Sequence, residues 1–353
     1  MVDRRAAVAL SGGVDSSVAA LLLKEAGYAV IGLTMRLWPG EESATGSQQP
    51  SHYTAQEDSA EQVCRYLDIP FHIINLENEF KQYVIDYFCH EYMEGRTPNP
   101  CTACNQHIKF GYLLHKALLL GADSLATGHY ATISYSNSIY HLHKGTDSNK
   151  DQSYVLYTLG QDTLSRLLFP LGDYLKTGVK KLAQQKSLPA ANMPSSQDIC
   201  FATDDYSTFI SQHFNSIPGE IVDSQGNVLG MHKGIAFYTI GQRHGLGIAA
   251  GERLYVTKIE PDKNRITAGT EDELYCQSLT ARKVNWVSGS PPSAPLDVTA
   301  KIRYRSSVST ATIFPKTDST EVRFHQPQRA ITPGQVVVFY QDSEVLGGGI
   351  IEN

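Results

Sequence analysis

The chain has 353 residues, more than one hydrophobic core usually serves, so two or three domains are expected. With 41% hydrophobic and 19% charged residues it reads as a folded soluble protein, and its apolar runs, such as 18–23, are too short to span a membrane. A net charge of −6 excludes a globally basic surface, so a nucleic-acid partner would need a local basic patch.

The elements follow in order. Residues 6–10 are an apolar strand ending in Ser11-Gly12-Gly13-Val14-Asp15-Ser16-Ser17, which opens a helix over 18–26. At such a helix start, free backbone N–H groups and the positive end of the dipole form an anion site, which the two glycines let a phosphate approach. No lysine follows, so this is not a Walker A loop. Residues 29–35 are a second strand, making a right-handed strand–helix–strand step, and a polar loop runs from Trp38 to about Ser51. Helices are expected over 59–67, 79–94 and 108–120, and strands over 71–74 and 124–127. The alternation predicts a doubly wound α/β parallel sheet, with ligands at the carboxyl ends of the strands, where Ser11, Met35 and Gly128 fall. A helical pattern over 163–185 carries Lys176, Lys180 and Lys181 on one face. From Pro218 the chain turns to short strands, at 220–222, 234–240, 241–247 and 255–259, and after Leu279 β-alternation dominates. In 298–305, Val298, Ala300, Ile302 and Tyr304 face one way and Thr299, Lys301, Arg303 and Arg305 the other. We expect domains at 1–215, 216–278 (small, mostly β) and 279–353 (a β-barrel).

The start, Met1 to Arg5, runs into the first strand without a secretory h-region, and six irregularly spaced cysteines argue against a disulfide framework and for a reducing, cytoplasmic compartment. Cys101 and Cys104 lie in a loop rich in proline and asparagine, 95–105, and Cys200 in Ser195-Ser196-Gln197-Asp198-Ile199-Cys200-Phe201. Cys104, just ahead of the helix 108–120, and Cys200, just before Phe201, are placed to have their thiol pKa lowered. Cys64, Cys89 and Cys276 read as buried small hydrophobes.

SGGVDS resembles the PP-loop of ATP pyrophosphatases, which release pyrophosphate and transfer adenylate. Together with GRTPNPxxxCNxxIKF from Gly95, ATGHYA from Ala126, KDQSY from Lys150, SSQDICF from Ser195 and YTIGQRHGLG from Tyr238, it is similar to the tRNA-specific 2-thiouridylase family over essentially the whole chain. The resemblance implies ATP-dependent exchange of sulfur for the C2 oxygen of the wobble uridine of tRNA. It implies ATP held by Ala9, Leu10, Ser11, Gly12, Gly13, Val14, Asp15 and Ser16, with Met35 and Gly128 on the nucleoside side. Asp15 would help place Mg²⁺ or cap the helix. Cys200 matches the persulfide carrier and Cys104 the nucleophile that frees the sulfur, leaving a Cys104–Cys200 disulfide. Asn99, Pro100 and Cys101 match the loop that meets the flipped-out base. His129, Lys150, Asp151, Gln152, Tyr304, Arg305 and Gln335 match tRNA-contacting positions, with the Lys301/Arg303/Arg305 face and the Lys176 cluster as phosphate-contact surfaces.

One position departs from the family pattern. Cys101 stands where an aspartate is common, so Cys101, Cys104 and Cys200 offer three thiolates. These could hold an iron–sulfur cluster with one open iron binding inorganic sulfide, or a CxxC zinc site, or Cys101 could be a bystander to a route fed by a persulfide carrier protein. Other classes fit the PP-loop: an amide-forming synthetase (GMP-, NAD- or argininosuccinate-forming), a tRNA lysidine synthetase, or a non-catalytic nucleotide-binding module. None of these gives the loop cysteines work.

Overall fold

The computed structural model describes residues 4–38, 52–193, 200–201, 209, 216–248 and 251–353. The loop expected after Trp38 and residues 195–199 of the Cys200 motif lie outside them, and among the described residues no helix is long and apolar enough to cross a membrane.

Strands β1 (Arg5–Ala9), β2 (Ala29–Arg36), β3 (Phe71–Asn75), β4 (Ser124–Ala126) and β7 (Leu167–Leu168) form a parallel sheet in the order β3-β2-β1-β4-β7. The order reverses beside β1, so a crevice opens between the carboxyl ends of β1 and β4. Helices α1 (Val14–Glu25) and α2 (His52–Leu67) share a core with one sheet face. A third helix, α3, runs through Glu77–Phe80, wide turns at Lys81–Ile85 and Asp86–Met93. A fourth, α4, runs through Pro100–Ala103, wide turns at Cys104–Leu113 and Leu114–Leu119. With β1, β2 and β4 these two helices enclose the other core.

Strands β8 (Gly219–Val222), β9 (Val228–His232), β10 (Tyr255–Glu260) and β11 (Arg265–Gly269) make a four-stranded sheet with its own small core. The strands expected at 234–240 and 241–247 do not form. The chain there makes the one-turn helix Ile235–Phe237 and turns at positive φ at Gly241, Gly245 and Gly247, while β9 and β11 carry the pairing. The helix expected over 163–185 is broken into Gln161–Leu164, β7 and α5 (Lys176–Gln185), because Phe169-Pro170-Leu171-Gly172 must turn between them.

Strands β12 (Tyr275–Trp286), β13 (Leu296–Lys301), β14 (Ser309–Pro315), β15 (Ser319–Arg329), β16 (Val336–Gln341) and β17 (Glu344–Ile351) close a six-stranded barrel through the β12–β17 pairing. The hairpin β5 (Ala131–Ser136) and β6 (Ile139–Lys144) extends this sheet from β17. Strand β16 explains how the barrel sits. Val337 and Phe339 fill the barrel interior, while Val336, Val338 and Tyr340 join the core around Tyr154, Leu156 and Leu142. A strand buried on both faces reads as a continuous apolar run, and Val336-Val337-Val338-Phe339-Tyr340 is one. The barrel and the nucleotide-type domain therefore share a hydrophobic core.

Strand β13 stops at Lys301, earlier than the alternation predicts, and the expected basic face is lost. Tyr304 is exposed rather than inward, the Arg303 guanidinium donates to the Arg329 carbonyl, and the Lys301 ammonium lies 5.7 Å from the ring centres of both Tyr154 and Tyr304.

Candidate active site

The turn after β1 is shaped by hydroxyls folding back on the backbone. Ser16 Oγ and Ser17 Oγ donate to the Gly13 carbonyl at 3.1 and 2.8 Å, and Ser11 N donates to Ser16 Oγ at 3.2 Å. Gly12 sits at φ +71°, and a Cβ there would lie 2.8 Å from the Gln56 carbonyl oxygen and 2.9 Å from Ser59 Cβ. Gly128 packs on the start of α1 so closely that a Cβ would meet the Ser16 nitrogen at 2.9 Å. Glycine is required at both places by contact, and at Gly12 by conformation as well.

A cavity of about 380 Å³ opens where these turns meet. Of the predicted nucleotide residues, Ala9, Leu10, Ser11, Gly13, Val14, Asp15, Ser16, Met35 and Gly128 line it, while Gly12 faces Ser59. Pro100, Cys101, Cys104, His129, Gln152 and Cys200 line the same cavity, so the phosphate-type turn and the three loop thiols face one volume.

Asp15 does not cap α1, whose N-cap is Gly13; its carboxylate accepts from Lys176 Nζ at 2.5 and 2.6 Å and from Tyr130 OH at 2.8 Å. Lys176 and the exposed Lys180 line the cavity wall. Sequence reasoning read Lys176 and Lys180 as a phosphate-contact face and missed Lys109 and Tyr130 here. A usable signal existed only for Lys109, which stands in the motif with Ile108 and Phe110.

The expected start of α4 is corrected. Asn99 Oδ1 accepts from Cys101 N at 3.1 Å and Thr102 N at 3.3 Å, and Pro100 follows at the first helical position, so the helix begins ahead of both cysteines. Cys104 is a buried second-turn residue, whereas Cys101 and Cys200 keep solvent access. The expected lowering of thiol pKa is also corrected. Burial pushes Cys104 up to about 11 and Cys200 up to about 12, and raises Cys101. In each case Lys109 acts the other way and is outweighed. Among the described residues no three His, Cys, Asp or Glu side chains are placed to hold a metal ion. Cys64 and Cys89 are buried as expected, but Cys276 is exposed.

His129 is buried, with Nδ1 2.7 Å from Thr127 Oγ1 and its ring against Phe110 and Phe169, and burial holds it well below the ordinary histidine range. Gln152 Oε1 accepts from Tyr130 N at 3.0 Å, and the Asp151 carboxylate is engaged by Gly145 N, Ser153 N and Ser153 Oγ. Asp151 and Tyr304, far apart in sequence, lie within electrostatic reach of each other. The Tyr154 and Tyr304 rings are 6.1 Å apart, and burial first, then the charge of Asp151 and of a Cys101 thiolate, raise the Tyr304 hydroxyl pKa. Gln335 points elsewhere, its Nε2 donating to the Thr97 and Pro98 carbonyls at 2.8 and 3.3 Å.

Three family models match the chain: a tRNA methyl transferase HUP domain over residues 4–204, a tRNA methyl transferase PRC-barrel domain over 207–270 and an aminomethyltransferase β-barrel domain over 276–351. The chain is 47% identical to the tRNA-specific 2-thiouridylase MnmA of Caldicellulosiruptor saccharolyticus, covering 99% of each. It is 46% identical to that of Pelotomaculum thermopropionicum, over 100% of this chain and 98% of that one. Identity to that of Clostridium acetobutylicum is 45%, over 99% and 100%.

Proposed function

Because the chain belongs to the tRNA-specific 2-thiouridylase family, we infer that it is an ATP-dependent tRNA sulfurtransferase that converts the wobble uridine to 2-thiouridine. The observation that carries this reading is the single cavity shared by the PP-loop turn and Cys101, Cys104 and Cys200. Two of the family descriptions speak of methyl transfer. A pyrophosphate-binding turn serves adenyl transfer and is idle in methyl transfer, so the site sides with the relatives' names.

The C2 oxygen of uridine is a poor leaving group. It attacks the α-phosphorus of ATP bound over 9–16, pyrophosphate departs, and the adenylated C2 becomes open to a sulfur nucleophile. Mg²⁺ would neutralise the phosphates, and because Asp15 is already paired with Lys176, that side of the cavity offers both a cation and a carboxylate to phosphate and metal. A persulfide on Cys200, loaded by a carrier protein, supplies the sulfur. The Cys104 thiolate attacks the Cys200 sulfur, the Cys104–Cys200 disulfide forms, and hydrosulfide leaves to attack C2 and expel AMP. The cysteine pair is oxidised by two electrons and needs a dithiol reductant before the next cycle. No step requires Cys101 as a metal ligand.

The test is sulfur-dependent release of AMP and pyrophosphate in the presence of tRNA, with 2-thiouridine detected by mass spectrometry. ADP as the nucleotide product, or S-adenosylmethionine-dependent methylation instead of sulfur incorporation, overturns the reading.

A further inference from the structure

The segment that leads into α4 is held from its own domain and from the other two. Its own domain grips it through backbone bonds, Gly95 N donating to the Tyr92 carbonyl and Arg96 N to the Glu91 carbonyl, and through the Arg96 guanidinium, which pairs with Glu91 at 2.7 and 2.8 Å. From the central domain, Thr239 Oγ1 lies 3.1 Å from Thr97 Oγ1, and a Cβ on Gly95 would lie 2.6 Å from Ile259 Cγ2. From the barrel comes the turn before β16. Thr97 N donates to the Pro333 carbonyl at 2.8 Å, and Gln335 Nε2 donates to the Thr97 and Pro98 carbonyls. Gly334, at φ +87°, leaves no room for a Cβ, which would meet Thr97 N at 2.8 Å and Arg96 Cβ at 2.9 Å.

A side-chain amide has two N–H donors, and both donors of Gln335 are spent on this loop. One residue later Asn99 caps α4 and fixes Cys101 and Thr102. We propose that Pro333, Gly334 and Gln335 form a clamp that positions the Cys101 end of α4 against the cavity, so that Gln335 is a positioning residue of the barrel for the reaction and not a tRNA contact. The inference rests on the sulfur-transfer reading. A loop whose backbone bonds are supplied by another domain keeps its place only while that domain keeps its own. Misplacement of reacting groups by about 1 Å costs about 100-fold in rate.

The test uses the full chain with Gln335→Glu, which replaces the donor by an acceptor facing two carbonyls, and Gly334→Ala, whose Cβ intrudes on Thr97 N, the donor to the Pro333 carbonyl. Single-turnover thiolation at saturating tRNA should fall at least ten-fold in both variants, with tRNA affinity within about two-fold of wild type. Residue-resolved iodoacetamide labelling should show the Cys101 alkylation rate changed several-fold in both. Weakened tRNA affinity in Gln335→Glu with an unchanged rate at saturation makes Gln335 a tRNA contact and overturns the clamp. Unchanged Cys101 alkylation in both variants overturns it as well. Should Gly334→Ala fail to fold, Gln335→Glu, a change in a half-buried side chain, decides alone. If the wild-type enzyme transfers no sulfur, the proposed function falls, while the alkylation rates still decide the clamp.

Discussion

At the residue scale the chemistry turns on a buried thiol, Cys104, whose ionisation burial opposes. With a pKa pushed up to about 11, Cys104 carries only about one thiolate in 10⁴ at pH 7 in the ligand-free enzyme. A raised pKa delays ionisation, so alkylation of Cys104 by iodoacetamide should climb about ten-fold per pH unit from pH 7 through pH 10. A plateau near pH 8 would show that burial does not govern it. Serine at Cys104 or at Cys200 should abolish thiolation while leaving ATP binding intact, since adenylation precedes the sulfur step. Residual 2-thiouridine from Cys200→Ser would contradict the route. Cys101→Asp restores the carboxylate common at that position and removes nothing the thiol route uses, so the variant should stay active with a persulfide donor. Loss of bound iron together with loss of activity in that variant would reverse this assignment.

At the element scale, the ion-pair cluster on β10 and β11 offers a stability test of the small central sheet. Hydrogen bonds from Lys263 and Arg265 hold Glu260 down at about 2. A depressed carboxylate contributes stability that is present above its ordinary pKa of 4.5 and is lost as pH falls toward 2. Lys258 and Lys263 are largely exposed and screened, which limits the contribution to about 1 kcal/mol. Glu260→Gln should therefore lower stability by about that much at pH 7 and flatten the acid limb of the unfolding curve. A variant as stable as wild type at pH 7 would show the cluster to be ornamental.

The parallel sheet was legible in the sequence because apolar strands such as Ala6 to Leu10 alternate with amphipathic helices, and the nucleotide turn because its glycines and serines do local work. Strand β9 was missed because Val228-Leu229-Gly230-Met231-His232 has little period-two contrast, and the hairpin β5–β6 because its strands are half-polar and find their partner in β17, about 200 residues on. The start of α4 was misread because its proline and asparagine mark turns and helix N-termini alike. The roles of Lys176 and Gln335 depend on distant partners, Asp15 and Thr97, which no local pattern announces.

At the scale of the whole molecule, an enzyme of net charge −6 must bind a polyanion through few, well-placed cations. The fold gathers the candidates. On the barrel, Arg305 follows the exposed Tyr304, whose hydroxyl lies within electrostatic reach of Asp151 and Cys101, and Lys150 precedes Asp151 in the first domain. Lys176 is neutralised by Asp15, and Arg303 is held by the Arg329 carbonyl, so neither should contribute to RNA affinity. Each phosphate contact adds about 0.7–1 to the slope of log affinity against log salt. Lys150→Ala and Arg305→Ala should each weaken tRNA binding and each reduce that slope by about this amount, independently of the tRNA's sequence. Lys316→Ala, which removes an exposed cation paired with Glu321 on the barrel, should change neither. Titrations of the three variants at several salt concentrations decide the point. Slopes equal to wild type for Lys150→Ala and Arg305→Ala would mean that the RNA lies across some other face of the barrel.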